Sequence, residues 1–411
     1  MSSMKLNSNS QTVTAQQLNK AQQGLREFMV RQDIGFHHLP TKKKNLWSDS
    51  FELGQKIRDQ FQDLVVIGIG GSSLGVRVIN EIFAQPQDAH RLHVCDNVDA
   101  LEFSRLIATL PNLQKTAWLA ISKSGSTLET LMVTDLANQI YKNRGLNFFD
   151  NFFSVTEKRA SPLFDLSLAN QRPSLEIPID VGGRFSVLSP VGMLPAAFLG
   201  LNPEHFRKGA EAALNNSELI SQVMAQVLAS FERQEWVSLF WNYSSWMKNF
   251  GSWTQQLWAE SLAKKTDIKN QPALRASTPL TAIGACDQHS ILQQVMEGAR
   301  DKFVIFTRVQ SAENSELKLQ RSLFAGNEYL QGRGLGDLLG AEALATSQAL
   351  TQVGVSNLVL EVKDLSAQSL GEQFMFWQLV VAGLGQCLGL NAFDQPGVEL
   401  GKRLARKILQ T

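Results

Sequence analysis

Val65-Val66-Ile67-Gly68-Ile69-Gly70-Gly71-Ser72-Ser73-Leu74-Gly75 is an apolar run that breaks into a glycine-rich turn just before a helical pattern begins. A run this short, closed by glycines, reads as a buried strand that delivers the chain to a helix start. Glycines there let backbone N–H groups close around an anion, and the helix N-terminus adds positive potential. A dinucleotide site is the rival reading, but Ser73 stands where the third glycine of G-x-G-x-x-G would be. Asp96, ending the next apolar run, keeps that rival open as a ribose-binding acid, and a tight turn that only packs helix on strand is the third reading.

Outward from this stretch the pattern repeats. Short apolar runs at 64–69, 91–95, 117–122, 152–155 and 175–179 alternate with helical stretches, and a second series falls at 236–241, 280–283, 302–307 and 357–362. Alternation of this kind predicts parallel strands joined by crossover helices, hence two α/β units. The length agrees, since 411 residues exceed one ordinary core. The boundary falls near residue 202, followed by a connecting helix or helix pair over 203–234. Residues 308–336, polar and punctuated by Gly326, Gly332, Gly334 and Gly336, are expected as an exposed loop. Residues 1–12 lack the apolar core of a secretory signal and read as a frayed terminus. The apolar stretch 375–390 is shorter than a bilayer span and carries Gln378 and Gln386, which predicts a buried helix and no membrane segment.

Charge narrows the function. With 39 basic and 38 acidic residues there is no basic excess of the sort that nucleic acid or a membrane surface selects, so an anionic ligand must be held locally. Cys95, Cys286 and Cys387 are odd in number and far apart, which argues against a disulfide framework and for a reducing cytosol.

Five further stretches carry chemistry. In Ser122-Lys123-Ser124-Gly125-Ser126-Thr127, hydroxyls and a lysine gather at a helix start, where they and the free N–H groups of the first turn would donate to phosphate oxygens. A single Ser/Thr N-cap would account for only one of those hydroxyls. Val181-Gly182-Gly183-Arg184-Phe185-Ser186 would fix a guanidinium able to oppose an oxyanion, or merely a surface arginine. Gln256, Glu260 and Lys264 share one helical face, so Glu260 is either a base or half of a solvated pair with Lys264. His289 lies near a helix N-terminus, where the dipole disfavours imidazolium; Cys286 beside it lacks the second pair that a closed zinc site needs. Gln395 and Lys402, in Phe393-Asp394-Gln395-Pro396-Gly397-Val398-Glu399-Leu400-Gly401-Lys402, fall two turns apart at the opening of the last helix, which is otherwise a basic C-terminal helix. The tryptophans at 236, 241, 246, 253 and 258 hold no single face and read as core or subunit interface.

Taken in order, Gly68-Ile69-Gly70-Gly71-Ser72, the hydroxyl loop, Gly182-Gly183-Arg184-Phe185-Ser186 and the 393–402 motif make the chain from about residue 45 resemble the glucose-6-phosphate isomerase family. The resemblance implies two sugar-isomerase-type (SIS) α/β domains, each a three-layer αβα sandwich: an N-terminal arm over 1–45, a first domain over 46–202, a second over 203–390, and a C-terminal helix over 391–411 returning to the active site. It implies a cytoplasmic homodimer with shared sites that isomerises glucose 6-phosphate and fructose 6-phosphate through a cis-enediolate, without metal or nicotinamide. Glu260 would be the base, Arg184 would face the enediolate, and His289, from the neighbouring subunit, would assist ring opening with Lys402. Ser122, Ser124 and Thr127 would hold the phosphate, with Gly71, Ser72 and Lys123 lining the pocket, Gln256 beside the base and Gln395 closing the phosphate end. A noncatalytic sugar-phosphate-binding protein of the same domain type is the alternative.

Overall fold

Each of the nine expected apolar runs overlaps a strand in the computed structural model of the chain, which describes residues 2–314 and 316–410, though of 175–179 only residues 175 and 176 are in one. In chain order the strands are β1 (Met4–Asn9), β2 (Asp63–Ile67), β3 (Arg91–Cys95), β4 (Thr116–Ile121), β5 (Phe152–Thr156), β6 (Ser174–Glu176), β7 (Val237–Tyr243), β8 (Thr278–Ile283), β9 (Lys302–Val309) and β10 (Ser356–Val362). They form two five-stranded sheets, ordered β3-β2-β4-β5-β6 and β8-β7-β9-β10-β1. All pairings are parallel except that of β1 with β10.

Alternation along each strand feeds two cores, which is why the runs are apolar throughout. Leu64, Val66, Leu119 and Ile121 pack with Val191, Leu194 and Phe198 on one face of the first sheet. Val65, Ile67, Trp118 and Ala120 pack with Val133, Ala137 and Tyr141 on the other. In the second sheet Phe240, Ile305 and Leu360 face the buried helix Ala367–Cys387, while Trp241, Phe306 and Val359 face Ala343 and Leu350. Each such side chain, once buried, contributes roughly 1.5–3 kcal/mol. The architecture is therefore α/β, with helices on both faces of two mainly parallel sheets. Among the described residues no helix is long and apolar enough to cross a membrane.

The expected connecting helices appear as Pro203–Leu214 and Ser217–Glu232. Residues 1–12, expected as a frayed end, are corrected: Met4 pairs with Val362 and Lys5 reaches the Glu361 carboxylate at 2.9 Å. A short polar strand carries little local signal, and its hydrogen bonds come from the open edge of β10. Of the tryptophans, Trp241, Trp253 and Trp258 are core, whereas Trp246 is exposed.

In both sheets the first strand of the unit lies inside, the second goes to one side and the third to the other. The order thus reverses between β2 and β4 and again between β7 and β9. Open α/β sheets bind ligands at such reversals, beyond the carboxyl ends of the strands. The helix Lys248–Leu262, although it belongs to the second series, lies against the helix Leu74–Phe83 that follows the first glycine turn, and the Asn249 N–H donates to Glu81 Oε2 at 2.9 Å.

Candidate active site

The crevice between β2 and β4 is built by turns that approach one another backbone to backbone. Gly70, in the left-handed region at φ 58°, opens a single 3₁₀ turn over Gly70–Ser72. Gly71 has no room for a side chain, because a Cβ there would lie 2.3 Å from the Gly183 carbonyl oxygen. This contact presses the glycine turn against Gly183–Phe185, which carries Arg184. Ser73 bonds back to the Gly70 carbonyl at 3.2 Å, and Asp96 is held by Arg77, whose Nε donates to it at 2.5 Å. The serine and the acid weighed for a dinucleotide are thus both engaged within the chain.

Arg184 is buried and uses all its donors. Nε donates to Ser261 Oγ at 2.7 Å, and Nη2 to the Ala392 and Asp394 carbonyls at 2.6 and 3.0 Å. These three bonds anchor it. Nη1 points the other way, to half-buried Glu260 Oε2 at 3.2 Å and exposed Gln395 Oε1 at 3.0 Å. Burial works against the guanidinium's charge and lowers its pKa, with Glu260 and Asp394 opposing that shift. Gln256 Nε2 donates to the second oxygen of Glu260 at 3.1 Å, one turn back on the same helix face.

The paired alternative for Glu260 is corrected here. Lys264 turns instead to Asp394, bonding its Oδ1 at 2.9 Å and its carbonyl at 2.5 Å, while Glu260 goes to Arg184. The planar guanidinium suits a carboxylate in a partly buried setting, and Lys264, itself largely buried, finds its partner in Asp394. Burial lowers the Lys264 pKa, against the pull of Asp394.

At the end of β4, Ser122 and Thr127 share a hydrogen bond of 2.8 Å. Thr127 is the N-cap residue of the helix Leu128–Asn143 yet makes no side-chain capping bond, so the N-cap reading fails and the first-turn N–H groups are left uncapped by it. Ser124 Oγ accepts from the N–H and hydroxyl of Ser126 at 3.3 and 3.1 Å. Lys123 lies across the loop, donating to the Ile179 carbonyl at 3.1 Å and standing 3.5 Å from Glu157.

The structure therefore brings together Gly71, Ser72, Arg184, Gln256, Glu260 and Gln395, with the hydroxyl loop of Ser122, Ser124 and Thr127 at the neighbouring strand end. It does not bring in His289 or Lys402. His289 is exposed in the 3₁₀ turn Cys286–His289 and, among the described residues, makes no hydrogen bond or ion pair with that group. Lys402 bonds Glu399 at 2.8 Å on the helix Glu399–Leu409, which is exposed along its length. Sequence reasoning passed over Ser261 and the carbonyls of Ala392 and Asp394. Ser261 follows Glu260 directly and Asp394 lies inside the 393–402 motif, but a backbone carbonyl carries no signal in its residue type. Among the described residues no group of three or more His, Cys, Asp or Glu is placed to hold a metal ion.

Comparison with known proteins gives the same direction. A family model described as phosphoglucose isomerase matches residues 44–411. A glucose-6-phosphate isomerase of Thermus thermophilus is 36% identical over 356 residues, covering 85% of this chain and 84% of that one. Among solved structures, a hypothetical protein from Thermus thermophilus superposes with a TM-score of 0.85 at 32% identity, covering 96% and 95% of the two chains. A glucose-6-phosphate isomerase from Chlamydia trachomatis does so with a TM-score of 0.79 at 26% identity, covering 95% and 78%.

Proposed function

The chain belongs to the phosphoglucose isomerase family and interconverts glucose 6-phosphate and fructose 6-phosphate, and we propose that this reaction runs at the crevice beside Arg184. The observation that carries the assignment of roles is the asymmetry of Arg184. Three bonds hold it from behind, and its Nη1 edge faces two side chains that a substrate would displace.

The phosphate sits on Ser122, Ser124 and Thr127 and on the first N–H groups of the helix Leu128–Asn143, where donors and dipole favour a dianion. Gly71, Ser72 and Lys123 line the pocket and Gln395 closes its phosphate end. Glu260, steadied by Gln256, takes the proton from C2 of the opened aldose and returns it to C1, the bonding pair passing through a cis-enediolate. Arg184 opposes the charge on the enediolate oxygens. His289 of a second copy, with Lys402, moves the proton between ring oxygen and hydroxyl as the sugar opens. The exposure of both side chains supports that arrangement, which makes the active species a homodimer. The same reading divides the chain at residues 45, 202 and 390 and puts the enzyme in the cytoplasm.

The test is to incubate purified protein with fructose 6-phosphate, chelator present and nicotinamide absent, and to look for glucose 6-phosphate. No product would end the reading. Mixing inactive Glu260→Gln and His289→Ala proteins after mild dissociation should restore turnover, since mixed dimers regain one intact site; a mixture that stays inactive removes the shared site.

A further inference from the structure

The loop that carries Arg184 is gripped from outside both sheets. Just before it, the Asp180 carbonyl accepts the Gly35 N–H at 2.7 Å, and the Asp180 carboxylate takes Lys43 Nζ at 2.6 and 2.9 Å. A Cβ at Gly35 would lie 2.2 Å from that carboxylate, so a larger residue there would have to displace Asp180. Just after it, the Phe185 ring stacks on buried Phe36 with centroids 4.8 Å apart. Phe185 also meets Phe393 at 5.3 Å, and Phe393 lies between the two carbonyls that anchor Arg184 Nη2. One wall of the guanidinium's socket thus rests directly on residues 35–43 and the other reaches them through Phe185, and all of these residues precede the stretch matched to the family.

We propose that Phe36 and Lys43 are positioning residues for Arg184: they fix the two ends of its loop, so that Nη1 is aimed at the reacting oxygens before substrate arrives. The proposal rests on the reading that Arg184 opposes the enediolate charge. An aromatic stack and a half-buried ion pair add little to affinity here, because neither touches the sugar or the phosphate, but a guanidinium displaced by an ångström loses much of its effect on the transition state.

The experiment measures kcat and KM with fructose 6-phosphate for Phe36→Leu and Lys43→Met, each alone and combined with Arg184→Ala, with thermal melts of every variant. In the otherwise natural enzyme each should lower kcat about 10- to 100-fold, with KM within about twofold and a cooperative melt retained. With Arg184→Ala, assayed at high enzyme concentration, neither should lower kcat further, since the effect passes through the guanidinium. Equal losses in both backgrounds, or normal kcat in folded Lys43→Met, overturn the proposal. Should Arg184→Ala by itself keep normal turnover, the underlying reading of Arg184 falls and takes the proposal with it. Lys43 pairs at the edge of the fold, so its variant remains informative even where Phe36→Leu fails to fold.

Discussion

The two sheets have the same strand order about their first strands, yet their crevices are opposites. At β2 and β4 the strand ends give onto hydroxyls and uncapped N–H groups with spare capacity. Beyond the carboxyl ends of β7 and β9 the charge carried by β9 is already paired, with groups of β10 and β1 and of the turn after β9. Arg308, the partner of Tyr243 across that pair, donates to Glu313 at 2.8 and 2.7 Å and to Glu361 at 2.9 Å. Lys5, Asn7 and Gln310 complete the shell around Glu361. Topology therefore offers a site twice, and side chains decide which is left open: a crevice binds an anion only where its donors are not already neutralised.

The comparison breaks most visibly on Glu260→Gln. This variant should still bind phosphate ligands by calorimetry but lose about 10²- to 10⁴-fold in turnover, and near-normal turnover would remove Glu260 from the mechanism. Arg308→Met should do the reverse. Removing the cation that buried Glu361 shares with half-buried Glu313, with Lys5 still paired to Glu361, costs up to about 3–5 kcal/mol, read as a lower denaturant midpoint, while kcat per folded molecule stays unchanged. Lost activity in folded Arg308→Met would mean that the second crevice is not merely structural.

Thr127→Val gives a smaller effect. Losing a hydroxyl that donates to a charged group costs about 1.5–3 kcal/mol, so KM should rise about 10- to 100-fold with the melt unmoved. Acid separates the two regions by window. His37 is 2% exposed, and burial, aided by His38 and Lys42 against backbone contacts with Met29 and Arg31, brings its pKa down to about 4. The unfolded imidazole protonates near 6.5, so stability present above that pH should fall by roughly 1.4 kcal/mol per unit towards 4. His37→Phe should flatten that part of a stability-against-pH curve. At Glu361 burial raises the carboxyl pKa, but Lys5, Asn7 and Arg308 outweigh it and hold it below its ordinary value. Its contribution should be lost only as pH drops through the carboxylate range. A His37→Phe curve that keeps the upper slope would assign that slope elsewhere.

Much of this was legible in advance, for reasons that differ by residue. The central strands such as β2, β4, β9 and β10 were readable because a strand buried on both faces must be apolar along its whole length. β1 was not, because Met4-Lys5-Leu6-Asn7-Ser8-Asn9 becomes a strand only when β10 offers it an edge. Glu260 and Gln256 were readable as one helical face, whereas the exchange of partners that sends Glu260 to Arg184 and Lys264 to Asp394 was not.

The order of apolar runs, the glycines that permit backbone contact and the hydroxyls clustered at one helix start are local properties, and the sequence by itself determined them. Which of two like crevices stays open, which cation meets which carboxylate and what stands behind Arg184 were decided only when residues tens to hundreds of positions apart came within hydrogen-bonding reach. Those interactions depend on distance and burial, and one-dimensional spacing specifies neither.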